Sequence, residues 1–92
     1  MNENDARKLL EKEGWTSIFT QENEPHTFFP PHTHEEDAAH IVIKGSMLLT
    51  LGKQTKILKE GQRYDVPAFA VHSAKVGADG CVCIIGRRNH KQ

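Results

Sequence analysis

Three histidines of this chain occur in two short proline-containing segments, each beside an apolar run. His32 and His34 lie in residues 30–34 (PPHTH), and His72 ends residues 67–72 (PAFAVH). Because residues i and i+2 of an extended strand point to the same face, the first two imidazoles can bind one ion. A third imidazole from a paired strand would complete the set. Imidazole nitrogens suit Zn, Fe, Ni, Cu and Mn, so the pattern predicts a site for a divalent transition metal of undetermined identity.

The elements that must position these histidines are predicted to be β-strands. Runs rich in β-branched and aromatic residues are separated by turn signals, among them Gly52-Lys53 and the glycine-containing residues 77–80. Short strands with turn signals at intervals of roughly 8–12 residues are typical of a sandwich or barrel. The predicted strands are residues 15–20, 27–29, 39–44, 46–51, 55–58, 63–66, 71–76 and 81–85.

A short helix is predicted before the strands, over about residues 4–13. Asn2 or Asn4 can cap its first turn, and Gly14 can end it. A helix of this length is not stable alone, so it must pack on the strands or on a partner chain. The 92 residues are expected to form one domain, 1–92, with a barrel over about residues 15–87.

The charge balance argues against two classes of partner. Lys and Arg number 12 and Asp and Glu number 12, so the net charge is zero with neutral histidine. A nucleic-acid surface needs a basic excess, and a membrane-spanning helix needs ~20 apolar residues in a row. We therefore expect no nucleic acid and no membrane, but a small-molecule ligand. The polar, acidic N-terminus does not resemble a signal peptide, and cytoplasmic residence is expected.

Two cysteines, two further histidines and two adjacent arginines are the remaining residues considered for a role in the site. Cys81 and Cys83 are too few for a disulfide scaffold; they are interpreted as small core residues in a reducing compartment or as a thiol pair near the pocket. His26 and His90 are expected to be exposed. The pair formed by residues 87 and 88 (RR) is expected to be a solvated strand end.

On these residues the chain resembles a small single-domain cupin, an all-β, RmlC-like double-stranded β-helix of the jelly-roll kind. In the first motif of that family, His32, His34 and Gly45 match. Ala38 occupies the position of the family's glutamate, and His26 occupies the position of a glycine. The resemblance covers nearly everything from residue 15 to residue 87.

The second motif of the family matches in part as well. Gly61, Pro67 and His72 occur at the expected spacing, whereas Phe69 replaces a glycine and Val76 replaces an asparagine. Both motifs in order within an all-β pattern favour the fold. They do not indicate a particular reaction, because this fold has many activities.

The resemblance implies a metal held by the three histidines and the glutamate that this chain lacks. His40 lies two residues beyond Ala38 and shares its face on a regular strand, so it is favoured as a fourth ligand or as a partner of the ligands. Asp37 or Glu36 could bend in from the preceding loop instead. A site with three histidines and water in the remaining positions is also open.

Two classes of function follow from the resemblance, and enzymatic activity is left open. One is a metal-dependent small-molecule enzyme with dioxygenase-like or isomerase-like activity. The other is a non-catalytic ligand-binding or sensor module, which the missing glutamate favours slightly. A structural remnant that binds no metal is a weaker third possibility. For either class of function we expect a homodimer. Residues 41–43 and 82–85 are apolar on both faces, and the helix is too short to cover them.

Overall fold

The computed structural model describes residues 1–90 as one helix followed by six strands. These elements are α1 (Glu3–Lys12), β1 (Ser17–Asn23), β2 (Phe28–His32), β3 (Glu36–Leu51), β4 (Gln54–Leu58), β5 (Arg63–Val66) and β6 (His72–Asn89). The predicted helix is confirmed to within one residue at each end, and Asn2 is its cap, since its side chain accepts a hydrogen bond of 2.8 Å from the Asp5 amide.

Two long strands, β3 and β6, pair with each other along most of their length and organise the barrel. The first half of β3 and the second half of β6 form the first sheet, in which β1 pairs with β6 and β5 pairs with β3. The second half of β3 and the first half of β6 form the second sheet, which faces the first and has β2 and β4 at its edges. All pairings are antiparallel, and the all-β jelly-roll architecture is confirmed.

The strand breaks that the sequence suggests at Gly45 and at residues 77–80 are bends within β3 and β6. The β3–β6 register shifts on both sides of Gly45, between Val42 and Lys44 and between Gly45 and Met47. Gly45 has a φ of 78°, and a Cβ there would overlap the carbonyl oxygen of Gly80. The glycine therefore allows the two bends to touch, so that each strand crosses from one sheet to the other without a loop.

The inner and outer faces of the first sheet form separate apolar clusters. Alternate residues of β3 and β6 point inward and pack between the sheets, among them Val42, Cys83 and Ile85. The intervening residues, Ala39, Ile41 and Ile84, pack against the helix side chains Ala6 and Leu10 and against Trp15.

Helix α1 thus covers the apolar outer face that the sequence analysis left to a partner chain. Within residues 1–90, no helix is long and apolar enough to span a membrane.

Candidate metal centre

The three predicted histidines meet at one end of the barrel. His32 ends β2 and lies opposite His72, the first residue of β6, while His34 follows in the connection to β3. The ring centroids are 4.7 Å apart for His32 and His34, 4.2 Å for His32 and His72, and 4.9 Å for His34 and His72. One ligand nitrogen from each ring belongs to a set in which all pairs lie within 4.8 Å.

Backbone carbonyls orient two of these rings. The Nδ1 atom of His32 lies 2.6 Å from the carbonyl oxygen of Pro30, and that of His72 lies 3.0 Å from the carbonyl oxygen of Ala70. A carbonyl oxygen only accepts hydrogen bonds, so the neutral tautomer of both rings has its proton on Nδ1, and the lone pair that can bind a metal is on Nε2. Metal-binding histidines usually have such a partner on the second nitrogen.

The third ring is held through its backbone and is kept neutral by its surroundings. The carbonyl oxygen of His34 accepts a hydrogen bond of 2.8 Å from the Phe69 amide, which joins the loop before β3 to the loop before β6. Burial lowers the pKa of His34, and the charge of Arg87 lowers it further. A neutral imidazole is the form that binds a metal.

The three rings line a pocket of about 150 Å³ that opens between the two sheets. Its other polar lining residues are Gln21, His40 and Arg87, and its apolar wall includes Met47 and Leu49. No carboxylate belongs to this lining among residues 1–90. The pocket therefore combines nitrogen donors and one guanidinium with an apolar wall.

His40 lies in the same pocket but is not part of the compact set of three ligand nitrogens. Its Nδ1 atom is shielded from solvent and has no hydrogen-bond partner within the described chain. Burial lowers the pKa of this residue from 6.5 to about 4, so the ring is neutral at neutral pH. The expected orientation toward the pocket is observed.

The two acidic residues considered as replacement ligands lie outside the set of ligand nitrogens. The Asp37 carboxylate accepts a hydrogen bond of 2.7 Å from the Ala68 amide and lies 3.1 Å from Nδ1 of His90. The Ala68 hydrogen bond is the main reason that the pKa of Asp37 is lowered. Glu36 is the first residue of β3. Asp37 thus stabilises the loop before β6.

Sequence reasoning missed Arg87, which was expected to be solvated. Arg87 lines the pocket, whereas its neighbour Arg88 lies on the outer face, 4.0 Å from the ring centroid of Trp15. The signal was the alternation along β6, because Cys83 and Ile85 share the inner face with Arg87. His26 and His90 are exposed, as expected.

The two cysteines belong to the inner core and do not line the histidine pocket. Both thiols are free and buried, and the Sγ atoms of Cys81 and Cys83 are 3.4 Å apart. The hydrogen bond with the Cys81 thiol and burial raise the pKa of Cys83, whereas the same hydrogen bond lowers the pKa of Cys81. Cys83 therefore stays protonated and unreactive, and the position of both residues in the inner core, away from the histidine pocket, favours the interpretation as core residues.

The positions at which two motif glycines are replaced keep the glycine backbone conformation. His26 has a φ of 64° and Phe69 a φ of 67°, and within the described chain these are the non-glycine residues with positive φ. The Ala70 amide donates to the Pro67 carbonyl oxygen at 3.3 Å, so Phe69 is the third residue of a turn. Its strain lies directly beside the backbone contact to His34.

Comparison with known proteins places this architecture in a family. The family model of the cupin domain matches residues 17–85, and the chain therefore belongs to the cupin domain family. No curated protein sequence matches it significantly.

Solved structures with the same fold share little sequence with the chain. A protein of unknown function from Rhizobium leguminosarum bv. viciae 3841 has 16% identity and a TM-score of 0.75, over 79% of this chain and 69% of that one. An RmlC-like cupin from Shewanella frigidimarina has 17% identity and a TM-score of 0.71, over 82% and 67%. The DMSP lyase DddQ from Ruegeria pomeroyi has 14% identity and a TM-score of 0.73, over 78% and 37%. These likenesses show the fold alone.

Proposed function

We propose that this cupin binds a divalent transition metal through His32, His34 and His72 and acts on a small molecule at the open side of the ion. The observation that carries the proposal is the convergence of the three imidazoles, with Nδ1 of His32 and His72 already committed to carbonyl oxygens. A set of neutral nitrogen donors held in this way is a metal site by its chemistry.

The donor set fits the ion in number, type and spacing. Metal–nitrogen bonds of ~2.1 Å place neighbouring ligand nitrogens roughly 3.0–3.4 Å apart, and small side-chain rotations reach this from a set whose pairs lie within 4.8 Å. Zn, Fe, Ni, Cu and Mn all suit these ligands. When bound, such an ion supplies Lewis-acid chemistry or activates water or O₂. The protein supplies the orientation of the rings and the shape of the pocket.

We propose His40 as the fourth ligand in place of the family's glutamate. The unpartnered, buried Nδ1 atom of His40 supports this, because a buried ring nitrogen without a partner is costly. If His40 is a ligand, His40→Ala lowers metal affinity by at least tenfold while the circular dichroism spectrum stays unchanged. Full retention of affinity would reject the fourth ligand but not the other three.

The main test is the metal content of protein purified without a histidine tag, measured by inductively coupled plasma mass spectrometry. We expect about one ion per chain in the wild type and background content in the double variant His32→Ala/His34→Ala. His90→Ala is the matched control, since His90 is exposed and outside the site. Equal metal content in the wild type and the double variant would exclude a metal-dependent function.

A dioxygenase-like or isomerase-like reaction is one candidate function, and a ligand-binding or sensor module is the alternative. The absence of a carboxylate among the described lining residues favours the alternative, because no acidic general base is available. Oxygen uptake and proton-exchange assays with the metal-loaded protein and a panel of small acids, thiols and diketones separate the two. Turnover supports the enzyme, and a ligand-dependent rise in Tm without turnover supports the sensor.

We also propose a homodimer, formed through the outer face of the second sheet. Phe28, Leu48 and Ile57 are 60%, 38% and 62% exposed. They lie in one row across four strands, with Lys75 between the first two. Helix α1 covers only the other sheet, so this row is apolar surface that a second copy can bury. Sedimentation equilibrium at micromolar concentration should give twice the chain mass, and Ile57→Lys should give a monomer. A monomeric wild type would disprove the proposal.

A cytoplasmic location is proposed from the two cysteines. Two cysteines in 92 residues are too few for a disulfide scaffold of the kind found in small secreted domains. A disulfide between Cys81 and Cys83 in protein isolated without reductant and with thiols blocked at lysis would contradict it.

A further inference from the structure

Arg87 is a charged residue in the pocket with no counter-ion among the described residues. Its side chain lies on the inner face of β6 beside the histidines, and its Nε atom is buried without a hydrogen-bond partner in the part of the chain that the structure describes. No ion pair involves Arg87 among residues 1–90. Its aromatic neighbour is Phe19, whose ring centroid is 5.6 Å from the guanidinium carbon. A guanidinium held inside a pocket in this way leaves donors available for a ligand.

The residue that lies opposite Arg87 on the neighbouring strand carries no charge. In the antiparallel pairing of β3 with β6, Ala38 lies directly opposite Arg87. Ala38 shares the inner face with His40 and Val42, because alternate residues of β3 point the same way. This is also the position at which the sequence motif has a glutamate. The chain therefore keeps the cation and lacks the carboxylate across from it.

The shape of the pocket limits what can supply the missing negative charge. A cavity of about 150 Å³ is large enough for a molecule of benzene size. Met47, Leu49 and Ile85 form apolar surface beside the polar end. The complementary ligand is small, carries one carboxylate and has a short apolar chain.

We propose that the pocket selects small monocarboxylates, whose carboxylate binds the Arg87 guanidinium while the alkyl chain lies against Met47 and Leu49. The planar fork of arginine suits a carboxylate, since two parallel hydrogen bonds form at once. This inference rests on the proposed function for the use of the pocket, but the Arg87 contact itself does not require a metal.

Butyrate and its neutral isostere butyramide are the probes, titrated by calorimetry into metal-free and zinc-loaded protein. The wild type should bind butyrate about 10–100-fold more tightly than butyramide, because a charge-assisted bidentate pair is replaced by neutral contacts. Arg87→Gln should remove this preference and leave the zinc content unchanged. Arg87→Lys should give an intermediate preference, since it keeps the charge and loses the fork.

Two further variants separate a specific contact from a general effect of charge. Arg88→Gln is the matched control on the outer face, and its preference for butyrate should equal that of the wild type. Ala38→Glu should weaken butyrate binding at least tenfold, because the introduced carboxylate pairs with Arg87 across the strands.

Equal affinities for butyrate and butyramide in the wild type would overturn the inference, as would an unchanged preference in folded Arg87→Gln. Failure here is distinguishable from failure of the proposed function. Zinc-loaded protein without a preference rejects carboxylate selection alone, whereas a clear preference in protein that takes up no metal rejects the metal site and supports Arg87.

Discussion

The two faces of the first sheet differ in how completely their polar groups are satisfied. On the outer face, Arg88 lies over Trp15 and donates a hydrogen bond of 3.0 Å to the carbonyl oxygen of Glu13. On the inner face, the adjacent Arg87 lies 5.6 Å from the ring centroid of Phe19, but within residues 1–90 its Nε atom and Nδ1 of His40 are buried without hydrogen-bond partners. Neighbouring residues of one strand thus serve different purposes.

A network of polar contacts on the outer face holds α1 against the sheet. Both oxygens of Glu13 accept hydrogen bonds of 2.7 Å from Arg63, and one also accepts from Nε1 of Trp15 at 3.0 Å. Apolar packing of Leu10 lies beside this network. Satisfied groups stabilise the fold, whereas unsatisfied buried groups in a native pocket indicate ligand binding. We therefore expect mutations on the outer face to lower the stability of the fold, and the removal of an unsatisfied group on the inner face to raise it.

Truncation of the helix core should have the largest effect on stability. Leu10 is 0% exposed, and Leu10→Ala should lower the free energy of unfolding by about 2–5 kcal/mol because it removes buried methyl groups and leaves a cavity. Urea denaturation measures this, with the exposed residue Lys8→Ala as control. Metal content of the folded variant should equal that of the wild type. A lost metal site in folded Leu10→Ala would remove the proposed separation between the two faces.

Replacement of His40 should act in the opposite direction. In the metal-free protein, His40→Leu should raise the free energy of unfolding by about 1 kcal/mol, since it removes a buried nitrogen without a partner and keeps a similar volume. Thermal unfolding in the presence of a chelator measures the change, and His90→Leu is the exposed control. A clear loss of stability would mean that the ring contributes to the fold rather than to the site.

The Glu13–Arg63 pair should give the outer face a dependence on pH. Hydrogen bonds from Arg63 and then Trp15 lower the pKa of Glu13 from 4.5 to about 2. The stabilisation is therefore complete above pH 4.5 and is lost as the pH falls through 2. Because the Glu13 side chain is 34% exposed, solvent screening limits the effect to about 1 kcal/mol or less.

Denaturation of wild type and Glu13→Gln at pH 7, 4 and 2 tests this expectation. The two proteins should differ at pH 7 and converge at pH 2, while Glu11→Gln, exposed on the same helix, should match the wild type throughout. A constant difference at all three values would assign the effect to packing rather than to charge.

The smallest expected change concerns the strain at the edge of the pocket. Phe69 is 62% exposed and has a φ of 67°, so Phe69→Gly should raise the free energy of unfolding by about 0.5–1 kcal/mol through relief of the left-handed backbone. Thermal unfolding is the measurement, and Phe69→Ala is the control that keeps the strain. If Phe69→Gly is less stable than Phe69→Ala, the backbone conformation is not strained.

The sequence predicted much of the candidate site because the positions of its three histidines follow short-range rules. His32 and His34 share a face because side chains alternate along a strand, which is a local rule. The motif spacing predicts that His72 meets them, and this depends on the pairing of only two strands. The helix was predicted from its capping residue and length. The expected strand breaks at Gly45 and at residues 77–80 proved to be bends, since a glycine marks both a turn and a close approach of two strands.

Other features depend on packing between distant segments. The burial of Ala39, Ile41 and Ile84 depends on where α1 docks, and the sequence analysis assigned that cover to a second chain. The hydrogen bond from the Ala68 amide to Asp37 joins segments far apart in sequence, so this contact could not be predicted without the fold.

The sequence by itself determined the strand-rich architecture, the capped helix and the three imidazoles that converge, because each follows from the period of a strand, a capping rule or a motif of fixed spacing. Only the tertiary structure decided that Arg87 faces the pocket and Arg88 faces Trp15. Alternation along β6 separates the two arginines onto opposite faces but does not say which face is inside. The docking of α1 on one side of the sheet settles that choice, and with it the charge of the pocket.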